Sequence, residues 1–541
     1  MKRFDKLHTL LFLALACALF SACNGDATTV KSEVGAPASQ AAYSEKHRPQ
    51  FHFSPPQKWT NDPNGMVFFE GEYHLFYQHY PDSTVWGSMH WGHAVSKDLA
   101  HWENLPIAIY PDSLGYIFSG SAVVDWKNTS GFGVNGQPPL VAMYTYHDMK
   151  GEKSGRNDYQ SQAIAFSNDK GRTWTKFEGN PVMPNPGNVR DIRDPKLVWD
   201  EQRNQWVVTL AVGDHMEFWA SPDLKKWSKL SDFGKNLGAH GGVWECPDLF
   251  RIAVEGTSEK KWALIVNLNP GQPNGGSGTQ YFIGNFDGKN FTPDPAFLPF
   301  VKDGKGVWLD GGKDNYAGVT WSDAPGGRRL LIGWMSNWQY ANKVPTEAWR
   351  NAMTLPWSLT LKKTEAGYRL FAQPVKELEA LRTASHELAS SAIASELDLT
   401  SQFKLPSALL EIELEFALPT DQKGSFGVAL SNPKGETYRI GFDAASNQFF
   451  SDRTKAGEAS FSVDFAPKTS VVARSAKFKT VRLHLFFDVA SAELFADGGA
   501  NVMTEIFFPS EDFNTVKIFA EGGKAELLGG KVYQLKSIWK K

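Results

Sequence analysis

Cysteine is scarce in this chain of 541 residues, which has three: Cys17 and Cys23 near the N-terminus and Cys246 in the body. A single body cysteine can form neither an internal disulfide nor a zinc cluster of several thiolates. Excess charge is also lacking, because 56 Lys and Arg residues stand against 59 Asp and Glu residues. The resulting net charge of −3 gives no electrostatic basis for nucleic-acid binding.

A long hydrophobic run is missing as well, since the apolar stretch LLFLALACALF at 10–20 is too short to cross a membrane comfortably. It follows Lys2 and Arg3, and it ends in FSAC at 20–23, which resembles a bacterial lipoprotein box despite Phe20. We expect residues 1–23 to be a signal peptide with lipidation at Cys23, with ordinary secretion as the alternative. Residues 24–46 are polar and are expected to form a disordered tether. The lipid anchor would be the only membrane contact.

Aromatic residues and turn formers are plentiful, with 19 Trp, 48 Gly and 30 Pro. One pattern of Ser, a polar turn containing Asp, then an aromatic residue and a strand recurs at 94–105, 165–177 and 219–230, with a weaker copy at 284–294. Short alternating strands lie between the copies, and no long amphipathic helix interrupts them. About five such units fit into residues 50–370, which is typical of a β-propeller. An irregular β-sandwich is the alternative.

The predicted fold class is therefore all-β, with a five-bladed β-propeller domain at 47–371 followed by a C-terminal β-sandwich. The alternating strand pattern stops at 372–395, and we interpret this segment as a linker that could carry a short helix. From 396 to 541 the alternating pattern returns, with Gly, Asp and Asn turns between strands, and it predicts the sandwich domain.

Three acidic residues lie in aromatic, turn-rich surroundings, each before a strand-like run and each in a different expected blade: Asp62, Asp194 and Glu245. Inner strands of a propeller line its axis, so the three could converge on one funnel. Pro63 and Pro195 directly follow the two aspartates and favour an extended, stiff backbone there. A lone Asp before Pro is more often a simple turn residue, so the convergence of all three is the informative expectation.

Such an arrangement suits cleavage of a glycosidic bond, where retaining enzymes use one carboxylate as nucleophile and one carboxyl as general acid. A third carboxylate can hold sugar hydroxyls. The flanking residues Val243, Trp244, Cys246 and Pro247 give Glu245 an apolar setting that suits a proton donor. Spacing alone leaves open an arabinan-cleaving propeller that works with inversion.

Seven motifs occur in a fixed order along the chain: WTNDPNG (59–65), YHLFYQHYP (73–81), WGHAVSKDL (91–99), FSGSAV (118–123), RDPK (193–196), WECPDLF (244–250) and GWMSNWQYA with PTEAWRNAMTLP (333–356). Together they resemble glycoside hydrolase family 32, the family of fructan hydrolases and invertases. The resemblance covers about residues 47–380 and continues into the sandwich. Thr60 and Trp357 depart from the family's usual residues.

The resemblance implies a role for each acid: Asp62 as nucleophile, Glu245 as general acid and then base, and Asp194 as stabiliser of the transition state. It also implies a set of fructose-binding residues: Asn61, Gln78, Trp86, Phe118, Ser119, Arg193 and Trp338. Asp310, Asp314 and Tyr316 are expected to line the floor of the funnel or the fifth blade. His90 and His93 are interpreted as structural, so no metal site is expected.

The implied activity is that of an exported, exo-acting β-fructosidase without cofactor. It would release terminal fructose from fructans (levan or inulin), and from sucrose, with retention of configuration. Three alternatives remain: a sucrose-specific invertase, a fructosyltransferase and an inactive fructan-binding protein. Oligomeric state and linkage preference are left open by the sequence.

Overall fold

The computed structural model describes residues 43–539, apart from residues 421 and 476. The predicted signal peptide, Cys23 and all but the last four residues of the predicted tether lie outside this range. Within the described part of the chain, no helix is both long enough and apolar enough to span a membrane.

Five antiparallel sheets follow one another along the N-terminal part of the chain. The first contains β1 (Lys58–Phe69), β2 (Glu72–Tyr80), β3 (His90–Ser96) and β4 (Glu103–Ile109). The second contains β5 (Tyr116–Val124), β6 (Leu140–His147), β7 (Gln160–Ser167) and β8 (Thr175–Lys176), with helix α1 (Met149–Lys153) between β6 and β7. The third contains β9 (Ile192–Asp200), β10 (Gln205–Val212), β11 (His215–Ser221) and β12 (Ser228–Phe233).

The fourth sheet contains β13 (Val243–Ala253), β14 (Lys260–Asn269), β15 (Gly278–Phe286) and β16 (Phe291–Pro293). The fifth contains β17 (Tyr316–Thr320), β18 (Arg329–Met335), the short β20 (Ala352–Met353), β21 (Trp357–Thr364) and β22 (Gly367–Pro374). The short β19 (Trp349–Arg350), between β18 and β20 in the chain, pairs with β1 of the first sheet. Each inner strand contacts the next, and β17 contacts β1, so the ring closes. The predicted five-bladed propeller is confirmed.

The sequence repeat corresponds to the turn between the third and fourth strands of a blade. In three blades a serine hydroxyl that ends the third strand donates to the carboxylate two residues later: Ser96 to Asp98, Ser167 to Asp169 and Ser221 to Asp223. In the fourth blade Asp287 accepts from the backbone N–H groups of Lys289 and Asn290. These Asp side chains replace backbone partners in the turn, which explains why the pattern recurs in these four blades.

All five inner strands lose regular pairing at a similar level of the axis. In four of these strands the register shifts lie between Thr60 and Pro63 (β1), Ile117 and Gly120 (β5), Glu245 and Asp248 (β13), and Tyr316 and Val319 (β17). In β9 the shift lies between Arg193 and Lys196, which pair with Ala211 and Thr209 of β10. The expectation that Asp194 is extended before Pro195 is wrong, because its φ is +60°. A bulge there turns the side chain toward the axis instead.

The C-terminal part begins after a 3-10 helix (Lys376–Leu381), the last of three such turns with Leu298–Phe300 and Pro325–Gly327. Its strands are β23 (Arg382–Leu388), β24 (Ser391–Ile393), β25 (Glu396–Asp398), β26 (Leu410–Ala417), β27 (Ser425–Ser431), β28 (Thr437–Asp443), β29 (Gln448–Lys455), β30 (Ser470–Ala473), β31 (Thr480–Asp488), β32 (Ser491–Ala496), β33 (Asn501–Ile506), β34 (Thr515–Glu521) and β35 (Ala525–Leu535), with helix α2 (Leu399–Phe403) after β25.

These strands form two sheets around one hydrophobic core, so the predicted sandwich is confirmed. One sheet has the order β23-β35-β26-β31-β32-β33, with β24 also on β35, and the other has the order β25-β34-β27-β28-β29-β30. The segment 372–395, interpreted above as a linker, contains the end of β22, the 3-10 helix, and β23 and β24. Both of these strands pair with β35.

Buried polar groups join the propeller to the sandwich. His52, which precedes β1, has Nδ1 2.7 Å from Asp488 and Nε2 2.9 Å from Glu493. Glu493 also accepts hydrogen bonds from the backbone N–H of Leu355 at 2.7 Å and from Trp357 Nε1 at 2.8 Å. Trp357, a departure from the family pattern, therefore has a structural partner in the sandwich.

We predict that His52 makes the stability of the protein depend on pH. Burial alone would lower the pKa of His52, but the hydrogen bonds to Asp488 and Glu493 raise it from 6.5 to about 9. The charged histidine therefore stabilises the fold fully below pH 6.5, and this contribution is lost as pH rises through about 9. The free energy of unfolding should fall by about 3 kcal/mol over that interval, measured by denaturant unfolding.

His52→Gln should remove most of that pH dependence, whereas His101→Gln should retain it because His101 is exposed and pairs with Asp98 at the surface. An equal fall in stability for the unmodified protein and for His52→Gln would contradict the prediction.

Candidate active site

One cavity of about 260 Å³ at the N-terminal ends of the inner strands brings together the three acids and all seven residues implied to bind fructose. They come from four different blades and from the loops that follow β2 and β18. The cavity lining contains these ten: Asn61, Asp62, Gln78, Trp86, Phe118, Ser119, Arg193, Asp194, Glu245 and Trp338.

Asp62 is held in one orientation by donors on both of its oxygens. Asn61 Nδ2 donates to Oδ1 at 2.8 Å, and Ser119 Oγ donates to Oδ2 at 2.7 Å. Asn61 is itself fixed, because Trp59 Nε1 donates to its side-chain oxygen at 2.7 Å. The carboxylate therefore faces the cavity without freedom to rotate into other partners.

Asp194 is buried beside the other two acids. Its Oδ2 accepts from the backbone N–H of Cys246 at 2.9 Å, and Cys246 Sγ lies 3.6 Å from both Asp62 and Asp194. Burial raises the pKa of Asp194 to about 7; Arg193 opposes this rise, and the charges of Glu245 and Asp62 add to it. The acids thus form one electrostatic group rather than three independent sites.

Glu245 has polar partners in the cavity. Arg193 Nη2 donates to Oε1 at 3.0 Å, and the Tyr316 hydroxyl donates to Oε2. Burial and the charge of Glu245 raise the pKa of Tyr316 well above its usual range, so its hydroxyl stays protonated and remains a donor. The carboxyl group of Glu245 therefore has a guanidinium and a hydroxyl donor beside it, in addition to the apolar residues next to it in the sequence.

Arg193 connects the group, because Nη1 also donates to Asp191 at 2.7 Å and Nε lies 3.9 Å from Asp194. Its guanidinium is the counter-ion for the carboxylates that converge here. Gln78 uses its amide N–H groups inside the protein, on Asn64 at 2.8 Å and the Ile117 carbonyl at 3.0 Å.

Aromatic rings form the remaining walls. Trp86 and Phe118 meet edge to face at 6.0 Å, and Trp338 packs on Trp59 at 6.1 Å and on Trp334 at 4.8 Å. Faces of this kind can pack against the apolar edges of a sugar ring, while the carboxylates and amides meet its hydroxyls.

Five further residues line the cavity and were not identified from the sequence: His147, Glu152, Tyr159, Gln160 and Asp191. His147 ends β6, and Glu152 lies in α1. The ring of His147 stacks on Phe118 at 4.2 Å, and its Nε2 lies 3.0 Å from Glu152. Asp191, two residues before Arg193, carried a signal as part of the charged run RDIRD. The others lie in a stretch without a recognisable motif.

Asp310 and Asp314, expected at the funnel floor or in the fifth blade, lie in the segment directly before β17 of the fifth blade and do not line the cavity. Asp310 accepts from Thr504 at 2.7 Å, and Asp314 accepts from Tyr340 at 2.6 Å and also binds Arg453. Both acids therefore bind side chains of the sandwich domain. Tyr316 alone of the three reaches the site, through Glu245.

Two groupings of metal-ligand type occur among the described residues, both outside the cavity: His215 with Glu217 and Asp232, and Glu411 with Glu413 and His484. In each grouping a lysine or arginine side chain already pairs with the acidic residues. Lys229 is 2.5 Å from Glu217 and 2.7 Å from Asp232, and Arg382 is 2.6 Å from Glu411.

The sequence matches two family models, glycosyl hydrolases family 32 N-terminal domain over residues 52–374 and glycosyl hydrolases family 32 C terminal over residues 377–534. It is 44% identical over 507 residues to a levanase of Bacillus subtilis (strain 168), covering 93% of this chain and 72% of that protein. It is 38% identical over 519 residues to an extracellular exo-inulinase of Aspergillus ficuum, covering 92% of this chain and 96% of that protein.

Solved structures agree with these matches. An exo-inulinase from Aspergillus awamori superposes with a TM-score of 0.84 at 36% identity, covering 92% of this chain and all of the other. A β-fructofuranosidase from Schwanniomyces occidentalis complexed with fructosyl-erythritol superposes with a TM-score of 0.82 at 31% identity, covering 92% and 99%. Because the two family models together cover nearly all of residues 52–534, and the carboxylates of several blades meet in one cavity, the chain belongs to glycosyl hydrolase family 32.

Proposed function

We propose that the protein is an exo-acting β-fructosidase. It hydrolyses terminal, non-reducing β-D-fructofuranosyl residues of fructans such as levan and inulin, and of sucrose. The reaction proceeds with retention through a covalent fructosyl-enzyme intermediate. The observation that carries this proposal is the meeting of Asp62, Asp194 and Glu245 in one small cavity of a family 32 chain.

The first step breaks the glycosidic bond. Glu245 gives a proton to the oxygen of the leaving group while Asp62 attacks the anomeric carbon of fructose, and the oxocarbenium-like charge spreads over the ring. The donors Asn61 and Ser119 keep Asp62 aimed at that carbon. Asp194 accepts from ring hydroxyls and stabilises the positive charge as it develops.

The second step releases fructose. Glu245, now ionised, takes a proton from water, and the oxygen of that water displaces Asp62 from the anomeric carbon. Arg193 and Tyr316 hold the Glu245 carboxyl in the same position through both steps. Levanase, exo-inulinase and invertase, the names of the relatives, all denote hydrolases, which favours water over a sugar as the acceptor.

The size of the cavity supports release of single terminal units. At about 260 Å³ it lies below the ~300–1,000 Å³ of common ligand pockets. At its inner end Lys196 donates to the Thr320 carbonyl at 2.7 Å and lies 3.3 Å from Asp248, so side chains block the axis. A polymer cannot thread through, and only its end can enter.

We predict that Asp62→Asn and Glu245→Gln each lower kcat by at least about 10³-fold, because each removes a group that takes part in bond making or proton transfer. Free fructose released from sucrose, inulin and levan provides the measurement. Asp303→Asn, at an exposed turn far along the chain, serves as the matched control and should keep full activity.

No release of fructose by the unmodified protein from any β-fructoside would overturn the proposed activity. Growth of oligosaccharides at high sucrose, with little free fructose, would instead favour a fructosyltransferase.

We also infer that the protein is exported, since relatives include an extracellular exo-inulinase and the chain starts with the apolar leader described above. Attachment through lipid on Cys23 is part of this proposal. In a bacterial host fed labelled palmitate, Cys23→Ser should lose the label and leave the membrane fraction, whereas Cys17→Ser should retain both. Equal labelling of the two variants would exclude lipidation at Cys23.

A further inference from the structure

A second and larger cavity, of about 780 Å³, opens at the other end of the propeller axis. Its lining includes Trp199 of β9 and Arg251 of β13, which follow Asp194 and Glu245 by five and six residues along the same strands. At ~3.3 Å per residue, this places the cavity roughly 15–20 Å from the catalytic acids. Its volume falls within the ~300–1,000 Å³ of ordinary ligand sites.

The two cavities are separated by a polar plug. Lys196, buried on β9, donates to the Thr320 carbonyl at 2.7 Å and lies 3.3 Å from Asp248, which in turn accepts from the Thr320 N–H group. Since three inner strands meet in this plug, a ligand in the second cavity cannot reach the acids. The second cavity is therefore separate from the cavity that contains the three acids.

Its walls include five tryptophans: Trp126, Trp199, Trp206, Trp262 and Trp321. Trp126 is 62% exposed, and its ring is held by a 3.0 Å hydrogen bond from Nε1 to Asp323. Leaving a large flat ring in water has a hydrophobic cost. A ring that is both exposed and fixed in orientation provides a flat surface for stacking.

Polar groups surround these rings. Within the described part of the chain, neither Arg251 nor Arg329 has a carboxylate within ion-pair distance, and the one side-chain hydrogen bond of Arg329 is from Nε to the Arg251 carbonyl. Six acidic side chains balance five Lys and Arg side chains around the cavity, so its net charge is small. This mixture of donors and acceptors with little net charge suits an uncharged ligand with many hydroxyls better than a phosphate.

We propose that this cavity is a second, non-catalytic saccharide-binding site that takes a β-fructan chain. The chain stacks on Trp126 and receives hydrogen bonds from the guanidinium groups of Arg251 and Arg329. The identity of the ligand rests on the proposed function, since the polymer degraded at one end of the axis is the saccharide present around the protein. Binding there holds the polymer near the enzyme between cuts.

The test is calorimetric titration of a short fructo-oligosaccharide into the Glu245→Gln protein, which is intended to bind without turnover. We expect two binding sites per chain. Adding Trp126→Ala or Arg251→Ala should weaken the second site by about fivefold or more, as for a central anchor of an interface. Phe478→Ala, an exposed aromatic residue of the sandwich, is the matched control and should leave both sites intact.

Kinetics of the active enzyme provide the second measurement. Trp126→Ala should raise KM for levan or inulin but leave kcat/KM for sucrose unchanged, because sucrose needs the catalytic pocket alone. A single binding site in Glu245→Gln, or two sites unaffected by both substitutions, would overturn the second site. That result is distinct from failure of the proposed activity, which would appear as no fructose released from any substrate.

Discussion

The loss of regular pairing in all five inner strands is the constraint on which the site depends. A regular strand turns alternate side chains away from the axis, whereas each bulge sends an extra residue toward it. The backbone groups freed in this way are not left unpaired: Cys246 N–H donates to Asp194, and Asp194 N–H donates to Thr145. The irregular backbone and the carboxylate site are therefore one arrangement, and each stabilises the other.

Five carboxyl groups line one small cavity and repel each other, and burial increases the cost of their charge. The protein meets that cost with Arg193, which binds Asp191 and Glu245 and lies close to Asp194. Burial, together with the charges of Glu245 and Asp62, raises the pKa of Asp194 to about 7, although Arg193 opposes the rise.

The sandwich contributes to the propeller through buried polar contacts. Arg453 binds Asp314, Glu493 accepts from Trp357, and Asp310 accepts from Thr504. These contacts reach the segments just before β17 and at the start of β21, so the sandwich supports the fifth blade, whose Tyr316 touches Glu245. The unusual Trp357 keeps this connection by donating from its indole to a carboxylate of the sandwich.

The sequence by itself determined the all-β class and the turn that recurs in four blades, and it predicted the ten residues that line one cavity, because these follow from local motifs and from the resemblance they carry. It did not determine the conformation of Asp194, since the restriction that a following proline imposes is local and the bulge is imposed by neighbouring strands. Nor did it identify His147 and Glu152 as cavity walls, or separate Tyr316 from Asp310. Those placements depend on how the blades and the sandwich close around one axis, which only the tertiary structure decides.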